Sequence, residues 1–244
     1  MKGTSSATNS DSKKQAIVPK ASGEIGELFI VATPIGNLED ITVRALRIFR
    51  EADIIACEDT RTTGMLLKHY EIAPKKLLSY HSYSSNDRQN YIVELLLAGQ
   101  NIALVSDAGT PGISDPAYSL VHQAAEANIK ITPIPGASAL LSAIVCSGLP
   151  THHFTYLGFL PVKKGRKTLL ENLKDKEHTV IIYESVHRIE RTLSDLEAIF
   201  GPEHPVVVGR ELTKKFEEFI RGTLGEINSG NISYEKKGEF VICI

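Results

Sequence analysis

Residues 106–116, Ser-Asp-Ala-Gly-Thr-Pro-Gly-Ile-Ser-Asp-Pro, constrain this chain more than any other stretch. They follow the apolar run Ile102-Ala103-Leu104-Val105, which reads as a buried strand, and precede residues 117–127, which read as a helix. Asp115 is the expected N-cap of that helix, with Pro116 in its first turn, where proline is favoured. A strand, a loop of small residues and a helix start gather backbone N–H groups at the carboxyl edge of a sheet, where anionic or nucleotide-like ligands bind. Two glycines permit close approach of the backbone, and Asp107 can accept hydrogen bonds from a hydroxyl or an ammonium. The same residue types also build ordinary turns, so the loop alone leaves both readings open.

The pattern repeats along the first half. Residues 28–32 form a short apolar run ending in Thr33-Pro34-Ile35-Gly36-Asn37, a breaker cluster. Residues 41–52 have apolar positions near helical spacing, with Asp40 or Thr42 to cap them. Residues 53–57 read as the next strand, and a short helix is expected over 64–70. Asn86 to Gln89 has the spacing of a capping box at the start of a helix that Gly99 stops. A strand over 129–134 leads through Pro135-Gly136-Ala137-Ser138 to an apolar helix ending near Ser147. Strand and helix in alternation with short connections imply a parallel sheet covered on both faces, with every loop that follows a strand on one edge.

Gly148-Leu149-Pro150 reads as a boundary, dividing a segment 24–148 from a smaller mixed α/β domain over 149–244, with a ligand cleft between them. In the second part, strands are expected over 154–159, 178–183, 205–209, 216–222 and 238–244. Helices are expected over 167–173 and 186–200, the second with Ser185 as N-cap. Residues 1–23 are polar at the start, rich in Ser and Lys and without periodicity. They read as a disordered tail or a non-native appendage, and they lack the apolar core of a secretory signal.

Composition narrows the function classes. Of 244 residues, 42% are hydrophobic and 23% charged, an ordinary globular balance. No apolar run has membrane-spanning length. The three cysteines are far apart, and neither they nor the eight histidines show metal-ligand spacing, so no metal and a reducing compartment are expected. Residues 1–150 hold 13 Lys and Arg against 15 Asp and Glu, and residues 151–244 hold 14 of each. Within the second part, Lys163-Lys164-Gly165-Arg166-Lys167 concentrates four cations, which either solvate a loop or hold a phosphate backbone. The P-loop, the G-x-G-x-x-G fingerprint after a strand and the G-x-S-x-G nucleophile elbow are all absent from the sequence. His152, His153 and His187 read as structural or solvent-exposed. Tyr183-Glu184-Ser185-Val186-His187-Arg188 lies where a strand hands over to a helix. Glu184 there is a possible base and Arg188 a possible phosphate ligand, unless the cluster is simply a helix start.

Seven motifs occur in order: residues 33–42, 57–61, 106–116, 135–139, 158–161, 183–188 and 210–214. Together they resemble the tetrapyrrole (precorrin) methylase superfamily, and within it the branch that methylates small-subunit ribosomal RNA. The resemblance runs from about Glu27 to Ile244. It implies a two-domain α/β class III methyltransferase that binds S-adenosylmethionine between a parallel-sheet domain and a smaller mixed one. The implied reaction is methylation of the ribose 2′-hydroxyl of a decoding-centre cytidine in 16S rRNA, by a cytoplasmic homodimer without membrane attachment. Carried over by motif, Pro34, Asp107, Gly109, Thr110, Ile113, Ser114 and Ala137 would line the cofactor pocket, closed from the second domain by Tyr183 and Leu212. Glu184 is the first candidate base, with Lys214 beside it in the chemistry. Arg61, Lys163, Lys164, Arg166, Arg188 and Arg210 are candidates for holding RNA. Val186 stands where relatives usually have proline or a small residue. Many relatives continue beyond the position of Ile244, and a missing segment there would weaken RNA binding rather than the fold. A methylase of a tetrapyrrole or another small molecule, and a cofactor sensor without chemistry, are the alternatives on this fold.

Overall fold

Strands buried on both faces show as apolar runs without alternation, and Ile54–Cys57 and Ile102–Val105 are buried at every residue. A computed structural model describes residue 20 and residues 23–73, 75–81, 84–115, 117–174 and 176–244. The first sheet holds β1 (Glu27–Val31), β2 (Ile54–Cys57), β3 (Lys76–Ser79), β4 (Ile102–Val105) and β5 (Lys130–Ile134), in the order β3-β2-β4-β1-β5. All its pairings are parallel. Helices α1 (Val43–Glu51) and α2 (Thr60–His69) cover one face, and α3 (Asn86–Leu97) and α4 (Tyr118–Glu126) the other. Strand alternation feeds both layers. Ile55 and Val105 pack with Phe49 and Leu67, whereas Ile54 and Leu104 pack with Leu96 and Leu120. Each such side chain stabilises the fold by about 1.5–3 kcal/mol relative to exposure.

In chain order α5 (Ala139–Ser147) follows, then β6 (Phe154–Phe159), α6 (Arg166–Glu171), β7 (Thr179–Ser185), α7 (Ile189–Phe200), β8 (Pro205–Arg210), β9 (Glu218–Thr223), α8 (Leu224–Asn228) and β10 (Glu239–Cys243). The second sheet runs β6-β7-β10-β8-β9, with β6 parallel to β7 and the other pairs antiparallel. The last strand therefore lies at the sheet's centre. Leu140, Ala143 and Ile144 of α5 pack on Ile181, Val207 and Val241 of this sheet, so a helix that directly follows the first sheet belongs by packing to the second. The opposite face of the sheet meets α7 through Val180, Ile182, Leu193 and Leu196.

Several local expectations are corrected. β3 and α8 are additions to the expected elements, although Thr223-x-x-Glu226 before α8 has the spacing of a capping box. α2 starts at Thr60, capped by Asp59, whose side chain accepts the Arg61 N–H. Thr42, not Asp40, caps α1 by accepting from Ala45 N. No capping box forms at Asn86, because Ser85 is the N-cap and Gln89 donates to Ser119 instead. The box forms at Thr223 and Glu226. Asp115 does not cap α4, whose N-cap is Ala117, and Pro116 lies outside the described residues. Ser185 ends β7, and Arg188 is the N-cap of α7. Of the stretch read as a tail, most lies outside the described residues, but Lys20 donates to the Ala98 carbonyl and pairs with Asp53 at 2.7 Å.

Candidate active site

The order of the first sheet places β1 beside β4, so the loops that follow them meet at its carboxyl edge. Backbone bonds lock them together: Thr33 N–H donates to the Gly109 carbonyl at 2.9 Å, and Gly109 N–H donates to that of Thr33 at 3.0 Å. Thr33 Oγ1 donates to the Ser106 carbonyl, and Thr110 Oγ1 to that of Ala137. Gly109 has φ 84°, a left-handed conformation that its lack of a Cβ makes cheap. Ser114 adopts φ 67° without that freedom, and its hydroxyl bonds Tyr156 OH of the second sheet at 2.6 Å.

These loops and the second sheet enclose a cleft of about 560 Å³. From the first sheet it is lined by Ile35, Glu58, residues 106–110 and residues 113–115; from α5 by Ser138 and Ala139. From the second sheet it is lined by Phe159, residues 183–187, Leu212 and residues 238–241 at the start of β10. Among the residues expected at a cofactor, Asp107, Gly109, Thr110, Ile113, Ser114, Tyr183 and Leu212 line this cleft. Pro34 is buried beneath Ile35, and Ala137 sits behind Ser138 as the acceptor for Thr110.

Three carboxylates share the first-sheet wall. Asp107 Oδ1 accepts the Asp59 N–H at 3.1 Å, tying the loop after β2 to the loop after β4. Burial pushes the Glu58 carboxyl up, with Asp115 and Asp107 adding to the rise. Burial also raises Asp115, although it accepts the Gly112 N–H at 2.5 Å. On the second-sheet wall, Tyr183 OH accepts the Leu140 N–H at 2.9 Å, and burial raises its pKa. Tyr156 and Phe159 meet the Tyr183 ring edge-on at 5.0 and 5.7 Å. The result is an acidic floor facing an aromatic and aliphatic wall.

Three residues expected at the chemistry or at RNA, Lys214, Arg166 and Arg210, do not line the cleft, and a fourth, Glu184, borders it with its carboxylate turned into the core. Along β7, Val180, Ile182 and Glu184 point to the α7 face while Ile181 and Tyr183 point to the α5 face. Glu184's carboxylate is fully buried, paired with Arg188 Nε at 2.9 Å. It also accepts from Thr192 Oγ1 at 2.6 Å and Ser185 N at 2.7 Å. Glu184 itself borders the cleft, but its carboxylate has no exposed surface and is engaged on the α7 side, so it presents no base to a substrate there. Lys214 Nζ is held between Glu211 at 2.9 Å and Glu239 at 2.8 Å, and Lys214 does not line the cleft. Burial lowers its pKa, but the bonds to Glu239 and Glu211 outweigh that and raise it. Arg166 is buried against Asp195 and Thr192, both at 2.8 Å. Arg210 is buried and donates to the Lys237 and Phe216 carbonyls and to Glu218.

The remaining candidates divide. Lys163 and Lys164 are exposed, and among the described residues neither forms an ion pair. Arg61 is exposed but paired with Asp59 at 2.7 Å, and its bonds hold the Asp59 carboxyl down to about 2. Arg188 is partly buried, bonded to Glu184 and to the Leu160 carbonyl. Sequence reasoning missed Ile35, Glu58, Phe159, His187 and Glu239 as cleft residues. Four of them lie in or directly beside quoted motifs, but nothing local revealed their direction, and Glu239 reaches the site only because β10 is central. Among the described residues no group of three or more His, Cys, Asp and Glu could hold a metal ion. No helix among them is long and apolar enough to cross a membrane.

Residues 27–228 match the family described as Tetrapyrrole (Corrin/Porphyrin) Methylases. A Synechocystis protein named ribosomal RNA small subunit methyltransferase I is 49% identical over 221 residues, covering 90% of this chain and 79% of that one. Its namesake in Halalkalibacterium halodurans is 50% identical over 220 residues, covering 90% and 75%. Among solved structures, diphthine synthase superposes with a TM-score of 0.69 at 14% identity over 90% of each chain. Uroporphyrin-III C-methyl transferase from Thermus thermophilus, complexed with S-adenyl homocysteine, superposes at 0.62 and 18% identity, covering 89% of this chain and 97% of that one. At those identities the solved structures establish the shared fold, and the curated relatives establish the closer kinship. The chain belongs to the ribosomal RNA small subunit methyltransferase I family, within the tetrapyrrole methylases.

Proposed function

We propose that this protein transfers a methyl group from S-adenosylmethionine to the ribose 2′-hydroxyl of a decoding-centre cytidine in small-subunit ribosomal RNA. The observation that carries the reading is identity of about half the residues, over nine tenths of the chain, to proteins named as small-subunit rRNA methyltransferases. The cleft fits the cofactor. S-adenosylmethionine supplies an electrophilic methyl on a sulfonium and brings an ammonium with it. Glu58, Asp107 and Asp115 offer negative charge to such a cation, and Ile35, Ile113 and Leu212 give apolar walls for the rest. Phe159 and residues 238–241 line the cleft from the second sheet. The residues' main contribution is alignment, since an in-line displacement needs nucleophile and methyl held still and close.

Exposure of Lys163 and Lys164 in the loop after β6 supports assigning them to a phosphate backbone. The free cysteines Cys57, Cys146 and Cys243 fit a cytoplasmic protein. Leu141 and Val145, exposed on α5, offer apolar surface for a homodimer. The test is transfer from labelled S-adenosylmethionine to small ribosomal subunits that lack ribose methylation, followed by mass spectrometry of the digested RNA. A mass gain on the ribose of one cytidine is expected. Transfer to a tetrapyrrole and not to RNA would replace this reading with the small-molecule one. Cofactor binding without turnover on either would leave a sensor.

A further inference from the structure

We propose that His187 accepts the proton of the substrate hydroxyl during methyl transfer, and that Glu184 and Arg188 act through it by fixing the turn that presents it. The inference deepens the function proposed above and rests on it. His187 is exposed and lines the cleft. Among the described residues its imidazole has no hydrogen-bond, ion-pair or ring partner. It stands in the turn between β7 and α7, closed by Arg188 N–H donating to the Ser185 carbonyl at 3.0 Å.

That turn is braced from behind by buried charge. Glu184 Oε1 accepts the Ser185 N–H at 2.7 Å and pairs with Arg188 Nε at 2.9 Å, and Arg188 Nη1 donates to the Leu160 carbonyl at 2.9 Å. Thr192 Oγ1 donates to Glu184 Oε2 and accepts from Arg166 Nη2, which extends the brace to the buried Arg166–Asp195 pair. Burying ions costs several kcal/mol each, offset only where geometry and hydrogen bonds are complete, and this network is assigned to fixing a conformation rather than to adding stability. The conformation specified by this network is the one that carries His187 to the cleft.

The alternatives at the cleft are weaker bases or already engaged. Glu239 is tied to Lys214, Asp107 to the Asp59 amide and Asp115 to the Gly112 amide. Glu58, Asp107 and Asp115 also form the acidic floor assigned to the cationic cofactor. An imidazole is intrinsically a stronger base than a carboxylate. The charged groups around it are Glu184 and Arg188 on its own turn, Glu239 on β10, and Glu58, Asp107 and Asp115 across the cleft. In the step, the ribose oxygen bonds to the methyl carbon as the carbon–sulfur bond breaks. The bonding pair stays on sulfur, leaving a neutral thioether, and the hydroxyl proton passes to the imidazole, which becomes imidazolium and later releases it to solvent.

The test compares wild type, His187→Gln and Glu184→Gln in single turnovers on undermethylated small subunits, from weakly acid to weakly alkaline pH, with S-adenosylmethionine saturating at every pH. Calorimetry of S-adenosylmethionine binding and thermal melts accompany each variant. His187→Gln is expected to lose on the order of 10²-fold in rate, together with the acid limb of the wild-type profile, while cofactor affinity and melting temperature stay unchanged. Glu184→Gln is expected to keep that limb but displace it along the pH axis, because the turn moves. A His187→Gln enzyme with the wild-type rate and acid limb would overturn the proposal, as would a matching loss of cofactor affinity, which would make His187 a binding residue. A Glu184→Gln profile that is lower but not displaced would remove the positioning role. Wild type that methylates no RNA would instead sink the functional reading on which the proposal rests.

Discussion

Gly36, in the loop after β1, and Lys214, in the turn after β8, touch across the two sheets: a methyl at Gly36 would lie 2.3 Å from Lys214 Cγ. Lys214 can lie there only because Gly36 has no side chain, and from there its ammonium reaches Glu211 and Glu239. The contact thus joins the loop behind the cofactor wall to the strand that closes the cleft. Gly36→Ala is expected to destabilise the protein by about 1–3 kcal/mol through overpacking. Lys214→Ala in that background should recover part of the loss, with a coupling of at least about 0.5 kcal/mol in a denaturant-based double-mutant cycle. Strict additivity of the two substitutions would show that the contact carries no energy.

Glu184 illustrates how a candidate base becomes a brace. Its removal leaves Arg188 with an unmatched charge beside the core, so Glu184→Ala should cost about 3–5 kcal/mol in unfolding free energy. Urea titration would read it as a lower midpoint at constant slope. A loss below about 1 kcal/mol, as for an exposed pair, would contradict the burial.

The acidic floor makes cofactor binding depend on pH. Glu58 and Asp115 have raised pKa values in the free protein, so they keep their protons to higher pH than ordinary carboxyls. A bound cation favours their charged forms and drives protons off. Affinity for S-adenosylmethionine should therefore weaken as pH falls through the weakly acid range above the ordinary carboxyl pKa of about 4, with protons released on binding. Calorimetry in two buffers of different ionisation enthalpy measures that release directly. The same shifts mean that the folded state binds more protons than the unfolded one there, so these two groups lower the free protein's stability as pH rises through that range.

The basic run at 163–167 should divide by function. Lys163→Ala and Lys164→Ala are each expected to reduce the salt slope of RNA binding by about 1 without changing the melting temperature. Arg166→Ala should instead cost about 1.5–3 kcal/mol of stability, since it removes buried charged hydrogen bonds to Thr192 and to the partly exposed Asp195. Equal salt slopes for the wild type and both lysine variants would remove the run from the RNA surface.

Some of the fold is legible within short windows of the sequence. Apolar runs at 54–57 and 102–105 mark buried strands, and the breakers after them mark loops that line the cleft, because buried parallel strands and their breakers are patterns within a few residues. The ordered motifs sufficed for the family. Tertiary structure decided the direction of each side chain and the pairing of distant segments. Glu184 and Tyr183 are neighbours in sequence, yet strand alternation sends one behind the sheet and the other to the cleft, and a single step of register exchanges them. Arg166 and Arg210 look like surface cations until α7 and the turn around Phe216 supply their partners. β10 brings Glu239 to the cleft only by inserting between β7 and β8, from which it is separated by long stretches of chain. His187 reads as an ordinary helix-start histidine, and only the buried pair behind its turn turns it into a cleft residue. Composition and spacing determine which segments can be buried; which face a residue presents is set by contacts that no local window contains.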